Sequence, residues 1–177
     1  FEIEGISVGD SLLDHLSEKE INSEKTFSYK NRKYAVVVIE ENLTTYDEVE
    51  VSFINDNKKF LIEGVSGILN FDNQIGKCLK KKNIITKELN ETLDIKETSN
   101  YEHTYDNNRL NIGLDIEFKS VSKSFITDFI FDNGDGIRVW CNDWSDEVTR
   151  ERNWPDALYV KIEFYSWAQW LKYESHK

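Results

Sequence analysis

Methionine is missing from the 177-residue chain, proline occurs once, at Pro155, and cysteine only twice, at Cys78 and Cys141. Each scarcity narrows the field. A chain that begins at Phe1 and holds no methionine reads as a mature form whose leader has been removed, so export to the periplasm or beyond is expected. The lack of proline goes with a surplus of Asn, Lys, Ile, Asp and Glu, a bias expected of an AT-rich genome. No apolar run approaches the ~20 residues that a membrane-spanning helix needs. Basic residues are outnumbered, 22 Lys and Arg against 33 Asp and Glu, for a net charge of -11. That balance makes nucleic acid a poor partner, because phosphate binding requires a concentrated basic footprint. The one basic run, Lys80-Lys81-Lys82, falls in an expected helix and reads as a solvated face. His15, His103 and His176 are scattered, with no pair at metal-ligand spacing. A G-x-S-x-G elbow, a Walker loop, a dinucleotide fingerprint and a C-x-x-C pair are all absent. No catalytic residue, metal or cofactor is assigned on this basis.

What is present organises a fold. The length suits a single globular domain over 1–177, able to bury roughly 70% of its unfolded surface. Aromatics at 13% and charged residues at 31% argue against disorder. The densest apolar stretch, Phe125 to Trp144, places two alternating runs around Asp132-Asn133-Gly134-Asp135-Gly136. That cluster tolerates positive φ and predicts a β-hairpin. In such a hairpin Phe125, Phe129 and Phe131 share one face; on the second strand Ile137, Val139 and Cys141 oppose Arg138, Trp140 and Asn142. Residues 1–8 read as a short strand. Ser11 and Ser17 each precede an acidic residue by three, which predicts a helix that breaks and restarts. Tyr34–Ile39 is a strand buried on both faces, Val49–Phe53 one buried on one face, and Phe60–Leu69 a return strand in which Gly64 and Gly67 suggest bulges. A helix is expected over about 72–93, capped by Asp72, with Phe71, Ile75, Cys78 and Leu79 on one face. Thr98–Arg109 reads as a polar loop and Leu110–Phe118 as a strand of unbroken alternation. Asp143–Asp156 reads as a loop, Leu158–Phe164 as a last strand, and Trp167, Trp170 and Leu171 as one face of a closing helix capped by Ser166. The whole is an α+β fold: a predominantly antiparallel sheet with helices packed on one face. Phe1–Ser7 echoes Phe60–Ser66, which fits either a duplicated strand–helix–strands unit or chance within a biased alphabet.

Three constellations carry possible chemistry. Cys78 and Cys141 both lie on expected core faces, and a bond between them would close a loop of about 60 residues, worth roughly 4 kcal/mol in the chain-entropy model. As free thiols they would be small apolar core residues instead. Asp132–Gly136 lacks the acidic order and distal Glu of a calcium loop, so a turn is the better reading. All five tryptophans fall from Trp140 onward. Tryptophan gives a binding surface large contact area with one hydrogen-bond donor, though most buried tryptophans simply fill cores. Trp140, Asp143, Trp144 and Trp154 are the candidate ligand-binding residues, since alternation or loop position sets the tryptophans among them apart from the core face. The expected function is a non-enzymatic binding or interaction domain for a protein, peptide or small-molecule ligand. An assembly subunit that forms a homo-oligomer or filament through sheet edges is one alternative. A hydrolase using carboxylates is the other.

Three segments, Ile3–Ile21 (IEGISVGDSLLDHLSEKEI), Gly76–Lys82 (GKCLKKK) and Asn133–Trp144 (NGDGIRVWCNDW), together resemble small exported proteins of unassigned function from oligotrophic marine alphaproteobacteria of the Pelagibacter type. The resemblance covers most of the chain. It implies export and a Cys78–Cys141 bridge, and it implies no catalytic residue. Gly5, Gly9 and Ser11 are also similar to the strand-to-helix opening of small outer-membrane-assembly lipoproteins and β-lactamase-inhibitor-like domains, without the lipidatable cysteine of the former.

Overall fold

A computed structural model describes residues 1–27, 32–105 and 121–173. The strand expected over Leu110–Phe118 and the terminal His176 lie outside the described residues. The strands are β1 (Glu2–Ile3), β2 (Ile6–Ser7), β3 (Tyr34–Ile39), β4 (Glu48–Ile54), β5 (Ile62–Asn70), β6 (Glu97–Thr104), β7 (Lys123–Ile130), β8 (Gly136–Asp143) and β9 (Ala157–Glu163). Among the described residues four α-helices join them: α1 (Glu18–Glu24), α2 (Ile75–Thr92), α3 (Asp146–Arg152) and α4 (Tyr165–Tyr173). Among the same residues seven strands form one antiparallel sheet in the order β3-β4-β5-β9-β8-β7-β6, β1 and β2 form a separate hairpin, and helices pack against the sheet. The fold is α+β, as the pattern of hairpins predicted. The chain divides into two compact units, the first Phe1–Ile68, Ile130–Ile137 and Val160–Lys177, the second Leu69–Phe129 and Arg138–Tyr159.

In the first unit β3, expected to be buried on both faces, is not so throughout: Tyr34, Ala35 and Val37 are buried but Val38 is exposed, whereas β5 is buried continuously over Ile62–Ile68. Val37, Val49, Val51, Phe53, Ile62 and Val65 are all essentially inaccessible to solvent. The pairing of β4 with β5 shifts register between Ser52 and Phe53, so the expected irregularity falls beside Gly64. The two glycines of β5 have a packing reason. The Tyr46 ring lies so close over Gly67 that a Cβ there would come within 2.6 Å of it, and Trp167 covers Gly64 at 3.4 Å. Trp167 and Trp170 of α4 stack on each other and pack against Tyr34, forming a buried aromatic cluster. Ser166 does not cap α4; its hydroxyl donates to the buried Glu63 carboxylate at 2.6 Å.

The N-terminal segment is a hairpin and not the single strand expected. Glu4 and Gly5 both take positive φ, 52° and 78°, and reverse the chain between β1 and β2. The same Glu-Gly pair at Glu63-Gly64 lies within the continuous strand β5, so the sequence echo does not carry a shared conformation. The Glu4 carboxylate accepts backbone N–H bonds from Thr44, Thr45 and Tyr46 and the Thr44 hydroxyl, which pins this hairpin to the β3–β4 connection. Ser11 caps a 3-10 turn over Leu12–Asp14, and Ser17 with Glu20 forms a complete capping box on α1, so the helix does break and restart. The β7–β8 turn is closed by the Phe131–Asp135 and Gly134–Phe131 backbone bonds, and Tyr165 donates its N–H to the Asp135 carboxylate. It is a turn, and no group of three or more metal-ligating side chains occurs among the described residues.

The second unit is held by α2 on the sheet face that carries Thr127, Phe129, Val139 and Cys141. Cys78 and Cys141 form a disulfide with their Cα atoms 6.0 Å apart. α2 starts later than expected. Asp72 has positive φ and offers its carbonyl, not its carboxylate, to Asp156; Gln74 is the first flanking residue and supplies no side-chain cap. Lys82, expected on a solvated face, is buried, and its ammonium donates to the Thr127 hydroxyl at 2.5 Å. Burial lowers its pKa from the usual lysine value. Two elements replace expected loops: β6 occupies part of the Thr98–Arg109 segment, and α3 lies within Asp143–Asp156. No helix among the described residues is long and apolar enough to cross a membrane.

Candidate functional site: an aromatic groove on β6, β7 and β8

Strand alternation sends one set of side chains from the second unit's sheet toward α2 and the other set away from it. The outward set is unusual in composition. From β6 and the residue that follows it come Tyr101, His103 and Tyr105; from β7, Ser124, Ile126 and Asp128; from β8, Arg138, Trp140 and Asn142. Tyr101, His103, Tyr105, Ser124, Ile126, Arg138 and Trp140 line a groove of about 430 Å³. Tyr101 and His103 are exposed, Tyr105 and Trp140 half-buried. On this face large rings stand toward solvent on a rigid, hydrogen-bonded scaffold, which fixes their positions more tightly than loops would.

Each ring is oriented by a partner. The Trp140 indole stacks on Tyr159 with ring centroids 4.6 Å apart and planes 7° from parallel. Tyr105 shares a hydrogen bond with Ser124 at 2.8 Å, and Ser124 donates in turn to Asn142. Tyr101 donates its hydroxyl to Asp128 at 3.0 Å. Arg138 approaches the same carboxylate through two nitrogens, Nε to Oδ1 at 2.6 Å and Nη2 to Oδ2 at 3.0 Å. This bidentate geometry holds the guanidinium in one plane and matches its charge locally. The Tyr101 pKa is raised, chiefly by burial and by the Asp128 charge against the lowering effect of Arg138.

The aromatic surface continues beyond the groove. His103 contacts Tyr105 edge to face, Tyr105 contacts Trp144 at 5.0 Å, and Trp144 contacts Trp154 at 5.0 Å. Arg152 lies over Trp154. Trp144 is positioned through its backbone, whose N–H donates to the buried Asp156 carboxylate at 3.0 Å. Burial raises the Asp156 pKa to about 6, with Asp143 and Asp146 adding to the effect against the lowering N–H bonds from Trp144 and Ile75. Of the residues singled out from sequence, Trp140 lines the groove and Trp144 and Trp154 extend it. Asp143 alternates to the other side of β8 from Trp140, where burial raises its pKa and Lys123 lowers it. Trp167 and Trp170 are core.

Sequence reasoning missed Tyr101, His103 and Tyr105. The signal was the alternation Tyr101-x-His103-x-Tyr105, a period of two within a stretch too polar to suggest a strand. Arg138 was placed on the right face but not paired with Asp128, because the pairing depends on strand register. No protein-family model, no curated protein and no solved structure matches the chain.

Proposed function

We propose that this protein is a non-catalytic binding domain whose ligand lies in the groove formed by Tyr101, His103, Tyr105, Arg138 and Trp140. The observation that carries this reading is the outward row of aromatic rings on β6 and the residue that follows it, each held by or beside a fixed partner. Aromatic side chains give large contact area at low conformational cost, and their exposure on a rigid sheet provides a preformed surface. Among the described residues, the serine at the groove, Ser124, is bonded to Tyr105 and Asn142 and not to a base. The Asp128 carboxylate is engaged by Arg138 and Tyr101. Export to the periplasm or beyond belongs to the same proposal; the Cys78–Cys141 disulfide supports it, since such bonds persist in oxidising compartments.

A panel of flat ring compounds, titrated into isotope-labelled protein and followed by NMR, tests the site. Shift changes are expected to concentrate on residues of β6, β7 and β8 that line the groove. Perturbations confined to other surfaces would remove the groove from the account.

A further inference from the structure

We infer that the groove binds a neutral oligosaccharide, recognised over several sugar rings; the inference rests on the binding reading above and supplies its ligand class. Four observations converge on that chemistry. The first is shape. Tyr101, His103 and Tyr105 stand at alternate positions, so their Cα atoms span about 14 Å at the usual strand rise. A row of that length is longer than one ring and suits a chain of rings laid along it.

The second is surface character. A pyranose ring presents a flat patch of C–H groups on one face and hydroxyls at its edge. The C–H patch settles on the electron-rich face of an aromatic ring, whose quadrupole attracts the slightly positive hydrogens. Tyr101 is 43% exposed, and the aromatic run that leaves the groove through Trp144 ends in Trp154 at 41%.

The third is charge. Among the described lining residues Arg138 is the one with a permanent charge, and Asp128 matches it through two contacts of 2.6 and 3.0 Å. With that charge matched and a net charge of -11 on the whole chain, an anionic polymer is repelled at long range.

The fourth is hydrogen-bond type. The polar groups that face the groove are the Tyr101 and Tyr105 oxygens, which keep acceptor capacity after their bonds to Asp128 and Ser124, and the His103 ring, which carries both a donor and an acceptor when neutral. A sugar hydroxyl donates and accepts, so it satisfies either kind in turn. A peptide laid on the same rings would bring a fixed backbone N–H and C=O at each residue, and aromatic faces leave such groups unpaired at a cost.

Calorimetric titration of the intact, oxidised protein with neutral hexasaccharides of defined linkage tests the inference. The probes are β-1,4-glucan, β-1,3-glucan, α-1,4-glucan and N-acetylated β-1,4-glucosamine oligomers, each beside its disaccharide. Polygalacturonate and a tryptophan-containing hexapeptide serve as the anionic and peptide probes. At least one neutral hexasaccharide should bind more tightly than its disaccharide, with affinity reduced by roughly tenfold or more in Trp140→Ala, the loss typical of a buried aromatic contact. Tyr101→Ala, at an exposed position that does not support the core, should show a loss in the same direction and carries the test if Trp140→Ala fails to fold. Absence of binding by every neutral hexasaccharide, or binding unchanged in Tyr101→Ala and in folded Trp140→Ala, overturns the inference. Binding of polygalacturonate or the peptide that these variants abolish, with no neutral saccharide bound, also overturns it while leaving the binding groove intact. Failure of all the probes together with a negative ring-compound screen overturns both.

Discussion

At the scale of single residues, Asp156 couples the position of Trp144 to pH. Its carboxylate is buried with Asp143 and Asp146 nearby, which outweighs the lowering N–H bonds from Trp144 and Ile75, so its pKa stands near 6 in place of the usual 3.8. The sign follows from proton linkage. The folded state binds this proton more tightly than the unfolded state, so the contribution is fully present below about pH 4. It is lost as pH rises through about 6. Glu4 behaves oppositely: the Thr44, Thr45 and Tyr46 donors hold its pKa near 2, so its contribution is present above about 4.5 and lost toward 2. Above about pH 5.5 Glu4 is almost fully ionised in both states, and Asp156 dominates the difference between these two. Urea midpoints measured at intervals from pH 4 to 7 should therefore fall with rising pH more steeply in the native chain than in Asp156→Asn. Parallel profiles would show that Asp156 titrates at its ordinary value.

At the scale of elements, α2 is seated by a disulfide and a buried amine. Lys82 sits between α2 and β7 with its Nζ on Thr127, whose hydroxyl donates onward to Asn100 at 2.6 Å. Desolvation opposes the ammonium, as its lowered pKa records. Replacing Lys82 by Met keeps a similar chain length, removes the desolvated charge and leaves Thr127 its bond to Asn100. Lys82→Met should therefore be stabilising by roughly 1 kcal/mol at pH 7, and the gain should shrink as pH rises, because the native lysine is then lost from its charged form. A destabilisation above about 1 kcal/mol would mean that the Lys82–Thr127 bond outweighs the desolvation. The same element shows what local pattern conveys. The apolar spacing Ile75, Cys78, Leu79 revealed the helix, but a run of three lysines gave no hint that the third turns inward; only the facing strand decides that. α3 was legible in part, since Ser145 caps it, acids follow at Asp146 and Glu147, and Arg150 and Arg152 close it. The flanking tryptophans and Pro155 hid those signals. β6 is built of Glu, Thr, Ser, Asn, Tyr and His, so its strand state comes from its neighbour and not from intrinsic preference. The core was legible where period two holds, at Val49, Val51, Val139 and Cys141, and less so in β5, which is buried at successive positions, and in β3, where Val38 is exposed. The groove was half legible: alternation placed Trp140 outward, while its companions came from the strand that composition concealed.

At the scale of the whole molecule, the Cys78–Cys141 bond constrains one compact unit and not the other. Both cysteines belong to the unit formed by Leu69–Phe129 and Arg138–Tyr159, and they are 63 residues apart in sequence. Closing a loop of that size removes chain entropy from the unfolded state worth roughly 4 kcal/mol in the chain-entropy model. That figure is a large fraction of the ~5–15 kcal/mol that stabilises an ordinary domain. The first unit contains neither cysteine, and its β3–β4–β5 core rests on Val37, Val49, Val51 and Phe53, which are inaccessible without help from the bond. Reduction should thus lower stability unevenly. In hydrogen exchange after reduction, amides of α2 and β8 should lose protection first, by up to about three orders of magnitude for 4 kcal/mol. Amides of β3 and β4 should keep most of theirs. Equal loss in both sets would show that the two units unfold as one cooperative body. No loss in α2 would show that burial of Cys78 and its neighbours holds the helix without the bond.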